Sequence, residues 1–218
     1  MKNILLFASI AIIFASCSSS QPTFELEVNI LNNASLLNKK FVINQNIDGA
    51  VVYADTLKIK KNSFKLDIPY HGPALINISI TPQSNINNIM MAAEEGTIQL
   101  NIEGNKVHFG GTPLNDNLQA YYHANDSISL LFQELQKEYD LKIKDGQFTS
   151  DFNEEFRSKR IKLIRENTDR IIAFIKENVD NPVGEYFFMT NYINFTIERK
   201  LEMDGFATEK LKKEFGIQ

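Results

Sequence analysis

A single cysteine in 218 residues excludes more chemistry than any other scarcity in this chain. Cys17 alone can form no intramolecular disulfide, no Cys-x-x-Cys redox pair and no thiolate cluster around a metal. Histidine is scarce as well: His71, His108 and His123 are the only three, and no two stand at metal-ligand or triad spacing. Positive charge is in deficit, with Lys+Arg 23 against Asp+Glu 27 and a formal net charge of −4. No basic excess exists to hold a phosphate backbone, so nucleic acid is not an expected partner. The glycine-rich run Gly110-Gly111-Thr112 lacks the longer spacing and the lysine of a phosphate loop. No metal and no cofactor is therefore expected. The apolar stretch from Ile4 to Phe14 is too short to cross a bilayer, which takes ~20 residues.

What the N-terminus does contain is the anatomy of an export signal. Lys2 supplies the charged start, Ile4 to Phe14 the apolar stretch, and Ala15 and Ser16 the small residues before Cys17. This ending resembles the lipobox of bacterial lipoproteins, with Phe14 in place of the usual Leu. The resemblance implies cleavage after residue 16 and lipidation of Cys17, followed by a short linker over 17–23. Two or more acyl chains, at about 0.8 kcal/mol per buried methylene, make a stable anchor. Ser18 stands where enteric lipoproteins held in the inner membrane carry Asp, and no acidic run resembling a surface-export tag follows. The outer membrane, periplasmic face, is the expected location.

The hydrophobic period changes once. Phe24, Leu26, Val28 and Ile30 alternate with Glu25, Glu27 and Asn29, the pattern of a half-buried strand. Similar runs follow at 40–43, 51–59, 63–68, 75–80, 88–92, 97–102 and 107–109, separated by turn signals such as Asp48-Gly49 and Glu95-Gly96. Beyond Gly110-Gly111-Thr112-Pro113 apolar residues recur at three and four: Ile128, Leu131, Phe132, Leu135 and Tyr139. Asp145-Gly146 breaks that helix. A second is expected over 151–179, capped by Ser150 or Asp151, a third over 185–201 and a short one over 208–215. The expected fold is α+β: an antiparallel β-sandwich or open barrel over 24–112, then an α-helical hairpin or bundle over 113–218.

This order of pieces resembles a known arrangement. The opening strand comes first, then Asp55-Thr56-Leu57-Lys58-Ile59, Asn62-Ser63-Phe64-Lys65-Leu66, Pro73-Ala74-Leu75 and Glu94-Glu95-Gly96-Thr97-Ile98. Gly110-Gly111-Thr112-Pro113-Leu114-Asn115 and Asn181-Pro182-Val183-Gly184 follow. Together they are similar to the N-terminal domain of unknown function that precedes a thioredoxin-like domain, of the redoxin and alkyl-hydroperoxide-reductase type, in envelope lipoproteins of gut-dwelling bacteria. The catalytic Cys-x-x-Cys of that family lies in the thioredoxin fold, and residues 1–218 hold none. Thiol-disulfide exchange needs an attacking and a resolving thiol, so that activity is not carried over to this chain.

The side chains that invite sharper readings mostly have plainer ones. His108 faces opposite to Val107 and Phe109 and reads as a solvated strand position, and His71 beside Gly72-Pro73 reads as a turn residue. His123 and Asp126 lie one helical turn apart and could form an acid-base couple, but Asp126-Ser127 also suits a helix cap. Glu94-Glu95 reads as a hairpin shoulder, since neighbours in a strand point to opposite faces. Asp55-Thr56-Leu57 and Asp126-Ser127-Ile128 resemble an envelope O-glycan acceptor, which makes Thr56 and Ser127 possible modification sites. The leading expectation is a non-catalytic, lipid-anchored module that binds an envelope protein or a small ligand where the β domain meets the helices, lined by Tyr121, Tyr122, Phe187, Phe188 and Tyr192. The alternatives are the front part of a truncated or split thiol-disulfide oxidoreductase and, more weakly, a hydrolase built on His123.

Overall fold

The computed structural model describes residues 22–217 apart from 83 and 87. The expected signal peptide, the lipidation at Cys17 and residues 17–21 of the linker lie outside the described residues. Within them the chain is α+β, with the strands in the N-terminal half and the helices after them.

The strands are β1 (Thr23–Leu31), β2 (Lys40–Ile47), β3 (Ala50–Lys58), β4 (Ser63–Pro69), β5 (Ala74–Thr81), β6 (Ile89–Ala93), β7 (Thr97–Glu103) and β8 (Lys106–Gly110). They form two four-stranded sheets, β4-β1-β7-β8 and β3-β2-β5-β6. Strict alternation in β1 drives Phe24, Leu26, Val28 and Ile30 inside, each at most 1% exposed. Phe41 and Ile43 of β2, Ile76 and Ile78 of β5 and Ile98, Leu100 and Ile102 of β7 join them in one core. Each such side chain contributes roughly 1.5–3 kcal/mol of burial free energy, so the sandwich carries most of the apolar stabilisation. The pairing is antiparallel with one exception: β1 and β7 run parallel, Leu26 opposite Ile98 and Ile30 opposite Ile102. The chain re-enters this sheet at the same end as β1, where the Glu25 N–H donates to the Gly96 carbonyl at 2.9 Å.

The helices are α1 (Pro113–Lys144), α2 (Ser150–Asn178), α3 (Pro182–Tyr192), α4 (Ile197–Asp204) and α5 (Glu209–Phe215). α1 and α2 make an antiparallel hairpin. Asn117 meets Asn178 near its base, the Arg170 guanidinium donates to the Ala124 carbonyl at 2.6 Å, and Tyr139 packs on Phe156 with ring centroids 4.3 Å apart. The outer half has only itself to pack against, and apolar side chains there stay at the surface: Leu131 is 46% exposed and Ile164 48%.

Four local expectations are corrected. Thr149, not Ser150 or Asp151, caps α2, its hydroxyl accepting from the Phe152 N–H at 3.2 Å. Asp126-Ser127 caps nothing, because α1 runs unbroken through it. The helix expected over 185–201 is two helices. Asn191 and Asn194 turn their amides back onto the Phe187 and Thr190 carbonyls, and Thr196 then caps a new start by accepting from the Arg199 N–H. Short polar side chains that compete for backbone bonds end a helix in this way. α3 also begins earlier than expected, at Pro182, with Asn181 as its cap accepting from the Val183 and Gly184 N–H groups.

Candidate binding cleft at the junction of sandwich and helices

The two sheets end on the same side of the sandwich, in the edge strands β6 and β8. The turn from β8 into α1 is tight. Gly111 has φ +93, and a Cβ there would come within 2.6 Å of the Thr97 carbonyl, so no other residue fits. The first turn of α1 is then fastened to both edges by side-chain amides. Asn115, fully buried, accepts from the Ala92 N–H and donates to the Ala92 carbonyl, both at 2.9 Å, and donates to the Thr112 hydroxyl at 2.8 Å. One helical turn on, the Gln119 side-chain carbonyl accepts from the Phe109 N–H at 2.9 Å. Glu94, just beyond β6, accepts from the Leu114 and Asn115 N–H groups at 3.0 and 3.3 Å. It supplies the cap that Thr112 does not, and its charge suits the positive end of the helix.

Beyond these bonds the edges diverge from α1 and leave a cleft of about 680 Å³. One wall is α1, with Tyr122, His123, Asp126 and Leu130; the other is the edges at Met90 and Val107, with Asn88 and Asn105 at the rim. Burial pushes the Tyr122 hydroxyl above its ordinary pKa, with Tyr186 and Tyr121 adding to the shift. The phenol is therefore neutral, a donor rather than a base.

The structure separates the aromatic residues expected at the site. Tyr121 stacks on Phe174 at 4.2 Å and meets Phe187 edge-on at 4.9 Å, both inside the junction. Phe188 and Tyr192 form a second stack at 5.1 Å, closed by Phe215 of α5. Of the five, only Tyr122 borders the cleft, where its ring meets Phe109 at 6.1 Å. His108, His123, Asp126 and Ser127 also border it. No hydrogen bond or ion pair joins His123 to Asp126 among the described residues, and the Ser127 hydroxyl donates to the His123 main-chain carbonyl at 3.1 Å. Thr56 is exposed on the edge strand β3, and His71 lies between β4 and β5. Among the described residues no group of three or more His, Cys, Asp or Glu could hold a metal ion. Asn115 and Gln119 carried no expectation as functional residues, and Glu94, expected as a hairpin shoulder, instead lies between strands of different sheets and caps α1. The signal was present in two amides four residues apart on the face of α1 that also carries Leu118 and Tyr122.

A second cavity, of about 800 Å³, lies between the β2–β3 turn, α3 and α5. Lys210 crosses it, bridging Asp48 at 2.6 Å and Glu185 at 2.7 Å, and Asp180 and Glu214 line it as well.

Comparison with protein families matches the sandwich together with the start of α1. Residues 24–118 are a DUF4369 domain, a domain of unknown function. The DUF4369 segment reaches past the strands to include Asn115, so the amide that ties α1 to β6 falls inside the matched unit, whereas the expected β domain stopped at 112. The match accords with the N-terminal domain of unknown function anticipated from the sequence. No curated protein and no solved structure matches the chain.

Proposed function

We propose that this protein is a lipid-anchored envelope lipoprotein that binds a partner protein or a small envelope ligand without catalysing a reaction. The observation that carries the reading is the cleft between α1 and the β6 and β8 edges, with a volume in the range of ligand pockets and a place at a junction between structural units. Its polar lining is mostly amides, with two imidazoles, one carboxylate, the Lys106 amine and the hydroxyls of Tyr122 and Ser127. Among the described residues no hydrogen bond or ion pair joins His123 to Asp126, and the Ser127 hydroxyl is turned to its own helix. That arrangement suits recognition better than nucleophilic or acid-base chemistry. The anchor rests on the run ending in Cys17, the outer membrane on Ser18, and glycans at Thr56 and Ser127 on their short acceptor patterns. Among the described residues no helix is long and apolar enough to cross a membrane.

A second reading rests on the sequence resemblance to the domain that precedes a thioredoxin-like domain in envelope lipoproteins: the chain is the front part of a thiol-disulfide oxidoreductase, holding a redox domain near the membrane. The match at 24–118 is to a domain of unknown function and accords with the N-terminal part of that resemblance. The intact mass of the native protein, extracted in detergent from its own membranes, separates the two. A mass of residues 17–218 plus acyl chains is expected for the binding module. A mass larger by a whole domain, ~100 residues or more, favours the redox reading, and an unacylated thiol at Cys17 removes the anchor. Crosslinking in intact cells that yields neither a partner nor a bound small molecule counts against binding.

A further inference from the structure

The cleft lies between two strand edges that the chain has only partly closed, and the way it closes them shows what they accept. Ala92 turns both its N–H and its carbonyl away from β5, and Asn115 meets both as the peptide group of a neighbouring strand would. Phe109 likewise turns its N–H away from β7 and onto Gln119. Main-chain direction alternates along an antiparallel strand, so the residues two positions away, Met90 and Val107, point their N–H and carbonyl the same way. Both border the cleft, and among the described residues no side chain reaches their main-chain groups. Each sheet edge is thus capped by an amide at one position and open at the next.

We propose that the cleft takes an extended peptide segment, added as a strand along β8 between that edge and α1; this rests on the binding reading above and names its ligand class. A peptide offers at every second residue the N–H and carbonyl pair that Asn115 offers once, and strand addition to an open edge is an established mode of peptide capture. β8 is the better edge. It presents the Val107 N–H and carbonyl and the Phe109 carbonyl in a row. β6 offers only the Met90 pair, because Asn115 occupies both main-chain groups of Ala92. Side chains of an added strand alternate, so those directed at α1 meet the Tyr122 ring and Leu130, which is 58% exposed. The ligand is a segment with apolar residues at alternate positions and polar ones between, recognised mainly through its backbone.

The test uses the full chain in detergent and a pool of end-capped decapeptides with alternating apolar and polar residues, read by fluorescence anisotropy. Val107→Pro removes the outward N–H at an edge position where proline is tolerated, and Met90→Pro does the same on β6. Selected peptides are expected to lose at least about tenfold in affinity to Val107→Pro and less than about twofold to Met90→Pro. Hydrogen exchange at the Val107 amide of the unaltered protein is expected to slow when peptide binds. That readout decides the matter if Val107→Pro fails to fold, and unchanged exchange overturns the proposal. Loss confined to Met90→Pro, or loss in Tyr122→Ala with both proline variants unaffected, also overturns strand addition at β8. If no decapeptide binds but a glycan array does, the peptide proposal falls and the binding reading stands. If neither binds, both fall.

Discussion

The sandwich and the outer half of the α1–α2 hairpin both carry apolar stripes and bury them to different extents. In the sandwich, two sheets face each other and every inward side chain of β1 is at most 1% exposed. In the outer hairpin two helices have only each other. Leu135 is buried, and Tyr139, Phe148, Phe152 and Phe156 cluster at the tip, while Leu141, Ile143 and Ile161 remain about half exposed. A two-helix layer has one buried seam and no second face to close over it. The β unit is therefore the stable body of the molecule, and the outer hairpin is the part that opens locally first.

The sharpest way to break this contrast is to damage both parts equally. Leu26→Ala should lower unfolding free energy by about 2–5 kcal/mol in a denaturant titration, whereas Ile164→Ala should stay within about 0.5 kcal/mol. Equal effects would show that the hairpin is as consolidated as the sandwich. Gly184→Ala comes next. A Cβ there would overlap the Asn178 carbonyl at the end of α2, and the loss should be about 1–3 kcal/mol or more, read as a fall in Tm. Asn115→Ala leaves the Ala92 N–H and carbonyl unpaired in a buried setting and should remove about 2–3 kcal/mol. Hydrogen exchange should speed up at Ala92 and in the first turns of α1 while β1 and β7 stay protected. Protection lost throughout would mean that the junction and the sandwich are one cooperative unit.

The smallest effect concerns pH. Burial, the largest cause, raises the hydroxyls of Tyr121 and Tyr122 above the ordinary 10.0. Folded values above unfolded ones mean a stabilisation fully present below about pH 10 and lost as pH rises through the folded values. Lys210 follows the same sign: hydrogen bonds to Asp48 and Glu185 raise it above 10.5, so its contribution also fades in strong alkali. Thermal melts between pH 8 and 11 should show Tm falling above about pH 10, and Tyr122→Phe should flatten that fall.

The change of period at Gly110–Pro113 and the eight strand runs were legible because strands such as β1, β2, β5 and β7 bury one face, and alternation records that directly. The parallel pairing of β1 with β7 was not legible, since period says nothing about which strand lies beside which. Asn-Pro-Val-Gly at 181–184 was legible as the end of one helix and the opening of the next, but not as part of it: Asn181 caps α3, Pro182 occupies its first turn, and Gly184 is required by close approach to α2. The site was the least legible part. Aromatic residues suggested a pocket and were mostly interior, whereas the residues that shape the cleft are the amides Asn115 and Gln119, whose role exists only once two sheet edges have been brought beside one helix.

The position of β1 also bears on the order in which the protein can be made. β1 is the first strand to emerge, yet one neighbour, β4, begins at Ser63, and the other, β7, ends at Glu103. Until β4 has appeared both edges of β1 are open, and one stays open until β7 has followed, the form of chain most prone to pair with the wrong partner. A nascent chain therefore carries an unpaired edge on its first described strand until Glu103 has emerged.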